Sequence, residues 1–377
     1  MFDLREYRRR SARLADFLPW AALVEDGIVL NKDGSFQRTA RFRGPDLDSA
    51  TAAELVAAAG RLNNALRRLG SGWAVYVEAQ RNPSESYPLS DFPDPVSALV
   101  DEERRAQFEE HGAHFDSRYF LTFQFLPPAE QKAKVETWLY EGRQERGVDW
   151  REVLRGFVDR TDRILALLEG FVPEVAWLSD ADTLTYLHSA VSTHRQRVGV
   201  PDTPMHLDVL LADQPLAGGL EPRLGDAHLR ILTISGFPAA TWPGLLDELN
   251  RLAFPYRWST RAICMDKIDA AKVLTRIRRQ WFAKRKSITA ILKEVLTNEA
   301  STLIDSDAQN KALDADEALQ DLGADVVGHA YVTATVCVWD EDPGTADAKL
   351  RLVEKTIQGR DFTCMVETVN AVEAWLG

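Results

Sequence analysis

Residues 228–265 constrain what this chain can fold into more than any other stretch. Positions 229–235 alternate apolar and polar over a strand's length, from Leu229 to Ser235. Thr241 can cap a helix with Pro243 in its first turn, and Leu245, Leu246, Leu249 and Leu252 give that helix one apolar face. Pro255 stops it, and 257–264 read as a second strand. Strand, helix, strand is the βαβ pattern, whose helical crossover keeps its two strands parallel. The pattern returns at the end of the chain. A strand at 331–338 precedes a helix marked by Ala346, Leu350, Val353 and Ile357, a stop at Gly359 and a strand at 362–366. Two such units joined by an insertion form a split βαβ, or ferredoxin-like, α+β sandwich.

The first half repeats the scheme. A hairpin turns at Asp33-Gly34, and Thr51 with Glu54 forms a capping box. The next helix carries Leu55, Ala59, Leu62, Leu66 and Leu69 as its expected buried face, and a strand follows at 73–78. A second strand at 118–126, a helix marked by Val153, Leu154, Phe157, Ile164, Leu165 and Leu168, and a strand at 175–178 close the unit. The predicted fold is therefore α+β, with tandem split βαβ (ferredoxin-like) sandwiches and helical insertions. A basic amphipathic arm at 1–27 precedes a first α+β domain at 28–180, with an insertion at 81–117. A connector at 181–227, with a short strand at 207–211, leads to a second α+β domain at 228–377 with a helical insertion at 266–327.

Composition narrows the function classes. With 45% hydrophobic and 27% charged residues in 377, the chain has the profile of a globular protein of about two domains. No apolar run approaches the roughly 18 residues of a membrane helix, and the basic N-terminus is not followed by the apolar core of a signal peptide. Cys264, Cys337 and Cys364 fall in predicted strands without paired spacing, as buried thiols of a reducing compartment would. A net charge of −12 argues against the whole chain gripping nucleic acid.

No catalytic, cofactor or metal constellation emerges. The sequence contains no Gly-Lys dipeptide, so a phosphate-binding GxxxxGK[ST] loop cannot form, and GxGxxG, GxSxG and HExxH are absent too. His111 and His114 have metal-compatible spacing, but histidines in an acidic insertion are more often solvated. Two basic segments offer interaction surfaces instead. At the N-terminus Leu4, Tyr7, Leu14 and Leu18 share a helical stripe away from the arginines, and the expected contact set is Arg5, Arg8, Arg9, Arg13, Phe17 and Trp20. Such a helix suits an anionic membrane or a partner helix, and it equally suits packing on its own domain. The second is Arg278, Arg279, Trp281, Lys284 and Arg285, with Arg276 and Lys286 beside them. It could meet DNA, lipid or an acidic protein, or be the solvated face of a helix whose Trp281 is core; a protein contact is preferred over direct nucleic-acid binding.

Longer stretches carry a family resemblance. Glu6 to Arg10, Leu14 to Val24, Val29 to Thr39, Arg43 to Thr51 and Arg61 to Leu66 closely resemble conjugal transfer members of the VirB-type ATPases of type IV secretion systems. The resemblance implies an N-terminal docking or assembly domain for DNA transfer. ATP and Mg are expected only in the family's C-terminal motor domain, none of whose site residues has a counterpart here. It implies a cytoplasmic place, peripheral on the inner membrane. Implied partners are other secretion subunits, especially small inner-membrane channel proteins, with self-association as a further expectation. The alternative is a stand-alone enzyme with an unrecognised site in a sheet cleft.

Overall fold

The computed structural model describes residues 13–45, 47, 49–84, 87–110, 114–128, 150–203, 205–238, 240–284 and 306–376. A short helix α1 (Leu14–Phe17) precedes a meander of β1 (Trp20–Glu25), β2 (Ile28–Asn31) and β3 (Phe36–Arg43). Helix α2 (Ala52–Leu66), β4 (Trp73–Pro83), α3 (Pro95–Glu110), β5 (Phe115–Phe125), α4 (Trp150–Glu169) and β6 (Glu174–Trp177) complete the first half. Helices α5 (Asp180–Val191) and α6 (Leu207–Leu211) lead into β7 (Leu216–Ala217), β8 (Arg223–Leu224) and β9 (Ala227–Gly236). Then come β10 (Tyr256–Met265), α7 (Lys267–Lys284), α8 (Ser306–Gly323) and β11 (His329–Asp340). Helix α9 (Pro343–Gln358), β12 (Thr363–Val366) and α10 (Ala371–Leu376) follow.

The strand pairing matches a duplicated split βαβ. In the first half β3 lies between β5 and β6, and β5 pairs with β4, giving the order β6-β3-β5-β4. In the second half β9 lies between β11 and β12, and β11 pairs with β10, giving β12-β9-β11-β10. Every one of these pairings is antiparallel, because a third strand sits between the two parallel members of each βαβ unit. Strands β4 and β10 then pair antiparallel from Arg81↔Tyr256 to Ala74↔Ile263, so both halves share one twelve-stranded sheet. The repeat extends outward, with α1-β1-β2-β3 answered by α6-β7-β8-β9 and α5 by α10.

Three apolar clusters hold helices to this sheet. On one face Leu154, Phe157, Ile164 and Leu168, on one helical stripe of α4, pack on Phe36, Trp73, Val75 and Phe123. By register the second half's cluster lies on the same face, where Val353 and Ile357 of α9 meet Leu232, Val336 and Val338. The opposite face is covered by α1, α5, α6 and α10 through Leu14, Leu184, Leu187, Leu207, Leu211 and Trp375.

Several sequence expectations need correction. The crossover after β9 is a short 3-10 turn over Asp247–Arg251, not an α-helix. Gly244, at φ +85°, breaks the helical path after Pro243, and the bonds Asp247 N→Gly244 O, Leu249 N→Leu246 O and Leu252 N→Leu249 O span three residues. Leu245 and Leu249 are buried all the same. Residues 207–211 form a helix rather than a strand, because Leu207 and Leu211 are both buried four positions apart. Strand β1 occupies a portion of the stretch read as an arm. The expected face of α2 is only partly covered: Leu69, just beyond the helix, is buried and Leu55 and Leu66 are half-buried, whereas Ala59 and Leu62 are exposed. The first insertion begins and ends slightly inside its expected limits, after Pro83 and before Phe115. The second runs as the paired helices α7 and α8, which form the expected hairpin.

Candidate functional site

The seam between the halves carries the most concentrated buried chemistry. Strands expose alternate residues to alternate faces, so Tyr76, Glu78 and Gln80 of β4 point with Arg257 and Ser259 of β10 toward α5. Glu78 is 2% exposed and accepts from Arg257 Nη2 at 2.7 Å and from Gln80 Nε2 at 2.6 Å. Tyr186 Oη on α5 donates to Glu78 Oε2 at 3.4 Å. Arg257 Nη1 donates to the Trp375 carbonyl on α10 at 3.1 Å, and Ser189 Oγ donates to Gln80 at 3.0 Å. Burial would lower the proton affinity of Arg257, but the Glu78 carboxylate and its hydrogen bond outweigh it and hold the guanidinium above its ordinary value. Burial, then the Glu78 charge, pushes the Tyr186 phenol up. Burial also draws Arg195, which reaches Gln80 at 3.4 Å, down to about 10.

Chemically this network is a joint. One carboxylate and one guanidinium neutralise each other across β4 and β10 while two helices supply the remaining partners. The adjoining cavity, lined by Trp20, Gln37, Tyr76, Gln124, Tyr186 and Ser259, has a volume of about 100 Å³. That holds about three waters at roughly 30 Å³ each, well short of the roughly 300 Å³ where ligand pockets begin. The seam between β4 and β10 is thus filled by paired structural groups. Among the described residues no group of three His, Cys, Asp or Glu could hold a metal ion. His114 stacks on Phe108 and its Nε2 lies 2.9 Å from the Phe108 carbonyl, while His111 lies outside the described residues.

The structure separates the residues of the expected N-terminal contact. Arg5, Arg8 and Arg9 lie outside the described residues. Arg13 is exposed and Phe17 half-buried, but Trp20 is 8% exposed within β1 and belongs to the core, so it is removed from the contact set. Leu14 and Leu18 are likewise buried, in the cluster that includes Leu207 and Leu211 of α6. This end of the apolar stripe therefore faces the protein's own core.

The second expected surface stands on the α7–α8 hairpin. Its root is fixed to the first half: Ser71 N donates to Asp266 Oδ1 and Asp266 N donates to Ser71 Oγ, each at 3.0 Å. Asn63 Nδ2 donates to the Val326 carbonyl at 2.9 Å, and Arg67 reaches the Asp325 carbonyl. Gly70 admits this approach, since a Cβ there would lie 1.9 Å from Asp266 Oδ1. Between the helices Arg278 pairs with Asp316 at 2.8 Å, which turns that arginine inward. Arg279 is exposed and lines an open groove along α7 with Ala271, Lys272, Thr275, Arg276 and Gln280. Trp281 and Lys284 fall in the last turn of α7, and Arg285 lies outside the described residues. Sequence reasoning missed Glu78, Arg257 and Tyr186. Glu78 and Arg257 each put a charge at an inward position of a strand, beside the polar Gln80 and Ser259.

No helix among the described residues is long and apolar enough to cross a membrane. Residues 27–133 match the family described as type IV secretion system ATPase VirB4/TrbE, N-terminal domain. The chain is 29% identical over 394 residues to a conjugal transfer protein TrbE of Rhizobium radiobacter, covering all of this chain and 47% of that relative. In Sinorhizobium fredii (strain NBRC 101917 / NGR234) a probable conjugal transfer protein TrbE is divided into a first and a second portion. The second portion is 29% identical over 196 residues, covering 52% of this chain and 29% of that relative. The chain thus spans about half or less of the length of the Rhizobium protein and of this second portion. The first portion is 39% identical over 148 residues, covering 38% of this chain and 99% of that relative. With that relative matched along nearly its whole length, and the family's N-terminal domain matched at 27–133, the chain belongs to the TrbE family of VirB4-type conjugal transfer ATPases.

Proposed function

We propose that residues 1–377 form a docking and assembly module of a conjugative DNA-transfer ATPase. The observation that carries this reading is the distribution of charge. Inside the sheet the ionic groups satisfy one another, whereas the two insertions present charged, exposed helices. Such a chain offers surfaces rather than a reaction centre. Nucleotide chemistry does not fit its residues, because a phosphate cradle needs a Gly-rich loop at a helix start with a lysine for the terminal phosphates, and no Gly-Lys pair occurs. ATP and Mg therefore belong to regions of the longer relatives that this chain does not match. Its partners are other subunits of the secretion apparatus, small inner-membrane channel proteins foremost, at the cytoplasmic side of that membrane. Exposed Arg13 and the arginines before it supply the attraction, each worth about 1 kcal/mol near an anionic surface and weakening with salt. The test is vesicle co-sedimentation and pull-down with the purified small channel subunit, with and without residues 1–12. Both signals should weaken on deletion; two unchanged signals would remove the arm from the docking surface. Calorimetry should find no micromolar binding of Mg-ATP, and finding it would contradict the reading.

A further inference from the structure

On its α5 side the seam is covered by a mismatched pair of surfaces. The strand order β3-β5-β4-β10 runs without a break from the first half into the second. Its register turns Gln37, Gln124, Thr122, Tyr76, Glu78 and Ser259 to the same side. Over this polar floor α5 lays Leu187, Ala190 and Val191. An apolar lid offers no hydrogen bond, so each floor group must be served within the sheet or by something held beneath the lid.

Most of the floor is served from within. Tyr76 Oη donates to Gln124 Oε1 at 3.0 Å, and Gln124 Nε2 donates to Ser35 Oγ at 2.8 Å. The Thr122 hydroxyl lies 2.9 Å from that of Thr39, and Glu78 accepts from Arg257, Gln80 and Tyr186. Gln37 and Ser259 are the exceptions. They are 9% and 8% exposed and line the cavity of about 100 Å³, and among the described residues neither side chain has a hydrogen-bond partner. The amide carries two N–H donors and a carbonyl acceptor, and the hydroxyl both donates and accepts. Left bare, each would bear the full cost of its lost hydration.

We propose that this cavity is a hydration site, where about three ordered waters serve Gln37 on β3 and Ser259 on β10. Room and chemistry agree on water. The space fits about three molecules at roughly 30 Å³ each, and the floor supplies the roughly three polar partners that a buried water takes. Gln37 belongs to the first half and Ser259 to the second, so the cluster bridges the seam beside the Glu78–Arg257 pair. The halves then meet through an ion pair and through bound solvent. This site is independent of the docking role proposed above.

The sign of a substitution separates a wet cavity from a dry one. Gln37→Met and Ser259→Ala remove the polar groups with little change of size. In a dry cavity each exchange deletes an unpaired buried group and should stabilise the fold. Around bound water each deletes a partner of that water, so urea unfolding should show the folding equilibrium constant reduced about fivefold. An unchanged or increased constant in both variants would overturn the proposal. A crystal structure of the wild-type chain to high resolution tests it without any variant. Water density within hydrogen-bond distance of Gln37 and Ser259 is expected, and a cavity without it would overturn the proposal as well.

Discussion

Replacing Glu78 by alanine should cost about 3–5 kcal/mol of folding stability, the range for breaking a buried ion pair. Glu78 is 2% exposed, and its loss strips Arg257 of the carboxylate 2.7 Å away. Gln80 Nε2 loses the acceptor it holds at 2.6 Å, and Tyr186 Oη its acceptor at 3.4 Å. Most of the cost comes from the guanidinium left charged among apolar neighbours, where Coulomb compensation has gone and solvation has not returned. The double variant Glu78→Leu with Arg257→Met removes both charges, so it should lose much less than the single variants Glu78→Leu and Arg257→Met combined, with a coupling of about 2 kcal/mol. Urea unfolding followed by tryptophan fluorescence and circular dichroism measures each variant. Because the pair bridges β4 and β10, the single variants should also broaden or split the transition as the halves uncouple. A loss below about 1 kcal/mol for Glu78→Ala, or additive single and double variants, would refute the view that this pair joins the halves.

Three further expectations concern other regions of the molecule. Gly27→Ala should destabilise by about 2 kcal/mol or more, since φ there is +66° and a Cβ would sit 2.3 Å from the Leu178 carbonyl oxygen; chemical denaturation checks it. Gly70→Ala should push Asp266 from its place and loosen the root of the α7–α8 hairpin, seen as faster hydrogen exchange in α7 with little change in α9. Burial raises Cys264 to about 11 and Tyr256 to about 12, against ordinary values of 9.0 and 10.0. Both groups favour the proton more in the folded chain, so their contribution is complete below pH 9 and is lost as pH climbs through about 11 to 12. Stability should therefore fall from pH 9 upward, more gently in Cys264→Ala.

Much of the architecture was legible because it rests on local periodicity. The α4 stripe of Leu154, Phe157, Ile164 and Leu168 reads as one helical face in sequence and is one in space. The alternation in β9 and β11, and the duplication of unit and insertion, are likewise visible without coordinates. What escaped depends on contacts distant in sequence. Nothing local tells that Glu78 will meet Arg257, because strand register across the seam decides it. Leu207–Leu211 is too short for its period to distinguish strand from helix, and the packing of Leu207 and Leu211 beside α1 selects the helix. The loop from 241 to 255 shows a helical stripe of leucines, yet Gly244 at positive φ overrides it. At the N-terminus the sequence left two readings open, and Leu14 and Leu18 follow the one in which the stripe packs on the protein's own core.

Site-specific photocrosslinking in conjugating donor cells tests the assembly role most directly. A photoreactive residue is placed at Leu99 on α3, at Lys272 on α7 and, as a control, at exposed Leu352 on α9. Adducts are expected from Leu99 and Lys272 to subunits encoded with the conjugation apparatus or to a second copy, with none above background from Leu352. Equal yields at all three positions, or no adducts from the two insertions while plasmid transfer proceeds, would contradict the assembly role.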